Sequence, residues 1–123
     1  MRDTTEEAWH DAEQKVAAMA AKGADETKWI AGGNRKAAVG QQRLLQLAER
    51  GEVLDTCLYT APGKYGGGGA ATTWLVGSAE DVAAALQNYR KLGITHFVLS
   101  DTPYKREIGR VGDQLLPLLR GAN

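Results

Sequence analysis

The sequence predicts an α/β chain, and three observations between residues 72 and 119 predict it. A short β-rich run, Thr72-Thr73-Trp74-Leu75-Val76, is bounded by Gly77. An amphipathic helical stretch follows, and then the nearly continuous apolar run Ile94-Thr95-His96-Phe97-Val98-Leu99-Ser100. A second helical stripe closes the chain. Extended run, helix, strand and helix in that order make a β-α-β-α unit. A helix of about 14 residues spans about 21 Å, and a strand of about seven residues spans about 23 Å. The lengths match, so the helix is expected to lie along parallel strands as a right-handed crossover.

Each element has its own local reason. Thr4-x-x-Glu7 is a capping-box pattern that opens the first helix. Trp9, Ala12, Val16, Met19 and Ala20 then form one stripe of helical period, and Gly23 is the expected stop. Residues 24–39, with Gly32-Gly33-Asn34, read as a loop. A second helix is expected from Gly40 to Arg50, with Gly51 after it, and Cys57 to Ala61 carries a weak strand pattern ahead of Pro62-Gly63.

In the C-terminal unit Ser78-x-x-Asp81 starts a helix: the hydroxyl caps it, and the carboxylate complements its positive end. Val82, Leu86, Tyr89 and Leu92 or Gly93 mark the buried stripe, and Gly93 ends it. Apolar residues on both faces of 94–100 are the pattern of a strand buried within a parallel sheet. Two or three strands cannot cover such a strand, so the chain reads as part of a larger sheet. The final helix, from about Tyr104 to Leu119, puts Ile108, Val111, Leu115 and Leu118 on one face, and Pro117 should bend or loosen its last turns.

Composition narrows the function classes. Fifteen basic residues balance fifteen acidic ones, so no basic field exists to attract nucleic acid or an anionic membrane. The polar, acidic N-terminus is unlike a signal peptide. The chain's longest uncharged run, from Tyr65 up to Glu80, is too short and too weakly apolar to span a bilayer. Cys57 is the sole cysteine, which excludes an internal disulfide or a multi-cysteine metal site and fits a reducing cytoplasm.

Trp74-Leu75-Val76-Gly77-Ser78-Ala79-Glu80-Asp81-Val82, Leu92-Gly93-Ile94-Thr95-His96-Phe97-Val98-Leu99-Ser100 and Leu115-Leu116-Pro117-Leu118-Leu119 resemble the C-terminal signature of bacterial-luciferase-like flavin monooxygenases. Upstream, Arg2-Asp3-Thr4-Thr5-Glu6-Glu7-Ala8-Trp9 and Val39-Gly40-Gln41-Gln42-Arg43 resemble segments of the alkanesulfonate-monooxygenase branch. The segments occur in the family's order and cover essentially the whole chain. The resemblance implies a (β/α)₈ barrel with a lid insertion. Residues 1–23 would be a helix after a missing strand, 24–73 the insertion and lid, and 74–123 the last helix-strand-helix of the barrel. Such a barrel needs about 250 residues, so the resemblance implies that this chain of 123 residues is the C-terminal part of one.

The implied chemistry uses reduced FMN from a partner flavin reductase, with O₂, to oxidise a small organic substrate, a sulfonate among the candidates. A deazaflavin-dependent relative is one alternative. Another is a stand-alone binding or assembly module that completes a barrel with another chain or a second copy. Where the family has Ser-Gly-Tyr-Pro-His after its last strand, this chain has Ser100-Asp101-Thr102-Pro103-Tyr104. The family's arginine near the lid is replaced by Gly68 or a neighbouring glycine, with Lys64 the nearest cation.

Ser100, Thr102 and Tyr104 lie at the expected C-terminal end of the last strand, where barrel active sites are built, and are the candidate cofactor-binding hydroxyls. Turn and helix-cap chemistry explains the same residues without a ligand. Lys64 with Gly66, Gly67, Gly68 and Gly69 form the candidate lid or anion loop. The glycines lack a phosphate-loop spacing, and a hinge is the better reading. His96 has no carboxylate near it in sequence and reads as a core histidine rather than a base, His10 as solvent-facing, and Cys57 as a small buried side chain.

Overall fold

The computed structural model describes residues 1–30, 39–65 and 73–121. Helix α1 (Thr5–Ile30) and α2 (Val39–Arg50) precede three two-residue strands, β1 (Val53–Leu54), β2 (Leu58–Tyr59) and β3 (Trp74–Leu75). Helix α3 (Ala79–Lys91) follows, and a last helical rod comprises α4 (Tyr104–Arg110), a π-turn segment (Val111–Leu115) and α5 (Leu116–Gly121). The class is mixed helix and sheet. Among the described residues no helix is long and apolar enough to cross a membrane.

The predicted caps are present. Glu7 N–H donates to Thr4 Oγ1 at 3.2 Å, and Thr4 N–H donates to Glu7 Oε2 at 3.3 Å. Ser78 and Asp81 make the same reciprocal pair at the start of α3. At its other end Gly93 has φ +92°; its N–H bonds the Arg90 carbonyl, and the Ile94 N–H bonds that of Tyr89. That is a Schellman termination, which needs a residue able to adopt a left-handed backbone. Helix α1, by contrast, runs past Gly23 to Ile30. One interior glycine costs only about 1 kcal/mol, too little to stop a helix flanked by Ala21, Lys22 and Ala24. Of the expected loop at 24–39, residues 31–38 lie outside the described residues.

The sheet departs most from expectation. β1, β2 and β3 are antiparallel neighbours in sequence order, with Val53 opposite Tyr59 and Leu58 opposite Leu75. Residues 94–100 form no strand, so the expected parallel β-α-β crossover is absent. An extended segment becomes a strand only where a neighbouring edge takes its N–H and C=O groups. No described strand pairs with this segment. Phe97 packs against the second core, whereas Ile94 is 43% exposed and Val98 is fully exposed.

Two small cores hold the chain. In the first, Ala8, Ala12 and Val16 of α1 meet Tyr59, Ala61 and Val76, flanked by Trp9 and Trp74. Tyr59 stands edge-on to both tryptophans, with ring centroids 5.2 Å from Trp9 and 6.4 Å from Trp74. In the second, Val82, Ala83 and Leu86 of α3 pack on Leu115, with Met1, Leu75, Tyr89, Phe97, Val111 and Leu119 around them. Leu99, expected in this core, is exposed. Leu92, expected on the buried stripe, is 79% exposed, past the last turn of α3.

Pro117 accounts for the π-turn segment. Its ring conflicts with the carbonyl four residues back, and it has no N–H to give. The chain widens over Val111–Leu115 ahead of it. The inward face therefore reads Glu107, Val111, Leu115 and Leu119, every fourth residue. Ile108 and Leu118, expected inside, face out.

Candidate functional site

Two clefts open on either side of Cys57. The smaller, about 210 Å³, lies between α1 and α3, bordered by Thr5, Trp9, Thr56, Val76 and Asp81. Its polar wall is a capping structure. Asp81 Oδ2 accepts from Thr5 Oγ1 at 2.6 Å and from Ser78 N–H at 2.9 Å. The Thr5 bond, then those from Ser78, hold the carboxyl below its ordinary range despite partial burial. Its lone pairs serve the fold, and little is left for a ligand.

The larger cleft, about 550 Å³, lies between the β1–β2 turn and the C-terminal half of α3. Leu58, Leu75 and Ala85 give it an apolar floor, and the largely exposed Leu92 stands at its rim. Its polar feature is a pair: the Tyr89 hydroxyl donates to Asp55 Oδ2 at 3.0 Å. Burial first, and the neighbouring carboxylate second, push the Tyr89 phenol up to about 12. It is therefore a permanent donor at neutral pH. Asp55 occupies the left-handed region at φ +52°, a conformation that Asp tolerates better than most residues.

Cys57, at the back of both clefts, is buried, and burial pushes its thiol up. Its sulfur lies 3.9 Å from the Asp81 carbonyl. A thiol kept protonated is a poor nucleophile, which agrees with its reading as a packing side chain. Among the described residues no group of three His, Cys, Asp or Glu side chains could hold a metal ion.

A separate cluster of charged side chains surrounds Glu107. Glu107 is 2% exposed and sits 3.1 Å from Arg2, 3.0 Å from Arg106 and 3.5 Å from Arg110. Arg2 also reaches Asp11 at 2.7 Å, and Arg110 reaches Asp3 at 2.9 Å. Burial pushes Glu107 up, but the hydrogen bond from Arg106 and the three guanidinium charges outweigh it and leave the carboxyl below its usual range. Each of these charges has an opposite charge beside it, although the buried Arg110 Nε makes no hydrogen bond. The cluster ties the start of the chain to its last helix and is structural.

The residues singled out from sequence lie elsewhere. Ser100, Thr102 and Tyr104 are exposed along the segment that leads into α4, and Asp101 Oδ1 accepts the Thr102 N–H at 2.7 Å. Lys64 is exposed at the end of a 3₁₀ turn, Ala61–Lys64. Gly66, Gly67, Gly68 and Gly69 lie outside the described residues. Neither cleft at Cys57 includes Ser100, Thr102, Tyr104 or Lys64. His96, read as a core residue, is exposed, its Nδ1 2.8 Å from Thr95 Oγ1. His10 faces solvent next to Gln14, as its place beside the apolar stripe implies.

Sequence reasoning missed Asp55 and Tyr89. Tyr89 reads as one more member of the buried stripe, and nothing in the local pattern pairs it with a turn 34 residues earlier. The run Leu54-Asp55-Thr56-Cys57, an aspartate between two apolar pairs of strand character, was the available signal for a tight turn. No protein-family model matches the chain, and no solved structure matches it.

Proposed function

We propose that this chain is the C-terminal part of a two-component monooxygenase of the luciferase-like type, using reduced FMN and O₂ on a small organic substrate. It acts only when the rest of the barrel is present. One observation carries the reading. An apolar segment, 94–100, runs between α3 and α4 with no strand beside it and Val98 fully exposed. The helices on either side of it in sequence already pack on each other through Leu86 and Leu115. A β-α unit of a larger sheet has this form when the neighbouring strand is missing. The sequence signatures supply the family. A reductase partner and a cytoplasmic location follow from the same reading, and a single buried cysteine requires no oxidising compartment.

The described residues do not by themselves fit a flavin. Ser100, Thr102 and Tyr104 are exposed hydroxyls outside both clefts, and Lys64 is a surface cation. In the proposed assembly those hydroxyls would stand at the mouth of the completed barrel, where loops after several strands converge. The flavin would supply the oxygen chemistry, and the protein its orientation and shielding from water.

Titrating FMN with the chain, and following its fluorescence, tests the reading. Alone, the chain should bind in the millimolar range or weaker, since each polar contact contributes only about 1 kcal/mol net. Co-expressed with a polypeptide carrying the preceding barrel strands of a family member, it should give a complex with FMN affinity in the micromolar range. Tight stoichiometric binding by the chain alone, or no binding by the co-purified complex, overturns the proposal.

A further inference from the structure

The larger cleft beside Cys57 belongs to no part of that reading, and its chemistry points to a ligand of a definite kind. Its floor, Leu58, Leu75 and Ala85, is apolar, with the largely exposed Leu92 at its rim, and its volume of about 550 Å³ falls in the range of small-molecule sites. At one wall stands the Asp55 carboxylate. Its backbone is held in the left-handed region, and one of its oxygens is fixed by the Tyr89 hydroxyl at 3.0 Å. Among the described residues no Lys, Arg or His lies in ion-pair range of Asp55, whereas Asp3, Asp11, Asp101 and Glu107 all have such partners.

One cation, Lys91, lines the cleft, and it is engaged elsewhere than on Asp55. Lys91 Nζ donates to Asn88 Oδ1 at 3.3 Å, and it stands in the last turn of α3, where the free carbonyls favour positive charge. Asp55 is therefore a solvent-exposed but oriented carboxylate beside an apolar floor, with no ion-pair partner among the described residues. We propose that this cleft binds a small organic ammonium compound: the ammonium group on Asp55, with its hydrocarbon part on Leu58, Leu75 and Leu92. Tyr89 acts as a positioning residue, since its hydroxyl holds one carboxylate oxygen and leaves the other to receive the ammonium N–H. A ligand with a carboxylate head in place of the ammonium would meet Asp55 as a like charge.

The test is a two-dimensional ¹H–¹⁵N NMR titration of the whole chain at neutral pH with n-hexylammonium, hexanoate and n-hexanol as probes. Hexylammonium should shift the amides of Asp55, Leu58, Leu75 and Leu92 along a saturable curve, and hexanoate should leave them unmoved. Asp55→Asn keeps the side chain's shape and removes the charge; it should weaken hexylammonium binding about tenfold, the usual order for a lost charge-assisted contact. Tyr89→Phe keeps the ring in the second core and should weaken binding by a smaller factor. Equal binding of all three probes would mean a greasy surface without recognition and would overturn the proposal. So would an unchanged affinity in Asp55→Asn, or the absence of any saturable shift with hexylammonium. None of these outcomes depends on whether FMN binds, so the fate of the barrel reading is decided separately.

Discussion

The Thr5 hydroxyl at the start of α1 donates to Asp81 Oδ2 in the first turn of α3, at 2.6 Å and across 76 residues of sequence. One carboxylate thus caps its own helix and anchors another. Gly77 makes room for it. A Cβ added there would lie 2.6 Å from the Asp81 Cβ, a contact that no side-chain rotation relieves. Gly77→Ala should therefore destabilise the chain by about 1–3 kcal/mol. Asp81→Ala should cost about as much, through the lost cap and the lost Thr5 bond. Urea unfolding of both variants measures this, and a change below a few tenths of a kcal/mol in Gly77→Ala would show that the turn yields easily.

Glu107 makes the fold sensitive to acid. Glu107, Asp81 and Asp11 are all held below the ordinary carboxylate range in the folded chain. A depressed carboxyl contributes stability that is fully present above its unfolded pKa, about 4. That stability is lost as the pH falls through the folded value. The chain should thus lose stability progressively below about pH 4. Glu107→Gln should be destabilised at neutral pH by about 2 kcal/mol. That is less than the roughly 3–5 kcal/mol of a fully buried pair, because Arg2 keeps Asp11 and Arg110 keeps Asp3. Its stability should also fall less on acidification. Parallel pH profiles of unfolding for the two proteins would contradict the assignment.

Pro117 should be dispensable for the last helix. Pro117→Ala restores an amide and removes the ring, so the π-turn segment over Val111–Leu115 can relax to regular helix. Interior proline costs about 3 kcal/mol. Because the face Glu107, Val111, Leu115 and Leu119 is cut to the wider turn, a gain of about 1 kcal/mol is expected rather than the full amount. Amide exchange around residue 113, with thermal unfolding, reads both parts. A loss of stability would mean that the wider turn is required by the core.

Val98 separates folding from assembly. It is fully exposed, so Val98→Asp should leave the stability of the isolated chain within about 0.5 kcal/mol of the parent. The same change should abolish co-purification with a barrel-completing polypeptide, because it buries a charge in the new sheet. Unaltered co-purification would remove segment 94–100 from the interface.

What the sequence revealed follows the range of the interactions involved. Caps at Thr4 and Ser78, the stop at Gly93 and the disturbance before Pro117 are decided within a few residues, and each could be read there. The run at 94–100 has the composition of a buried strand, but composition cannot supply the neighbour that makes one. Ile108 and Leu118 failed as core residues because regular periodicity was carried across a widened turn. Glu107 was invisible for a related reason: its burial depends on Arg2, 105 residues away, and a lone glutamate on a helix reads as solvated. The Asp55–Tyr89 pair fails in the same manner. Apolar periodicity locates the stripe that holds Tyr89 but says nothing about what its hydroxyl meets.

The edge-on stack of Trp9, Tyr59 and Trp74 divides the molecule optically as well as structurally. Both of these indoles flank the first core, and the second holds Tyr89 and Phe97 instead. Emission from these two indoles will track the packing of α1 against the β2–β3 pair. It will be nearly blind to the loosening of α3 from the last helix. With Trp29, the third tryptophan, replaced by Phe, a fluorescence trace and a helical circular-dichroism trace of the same unfolding are thus two different measurements. Where they part company, the gap between them is the independent opening of the second core.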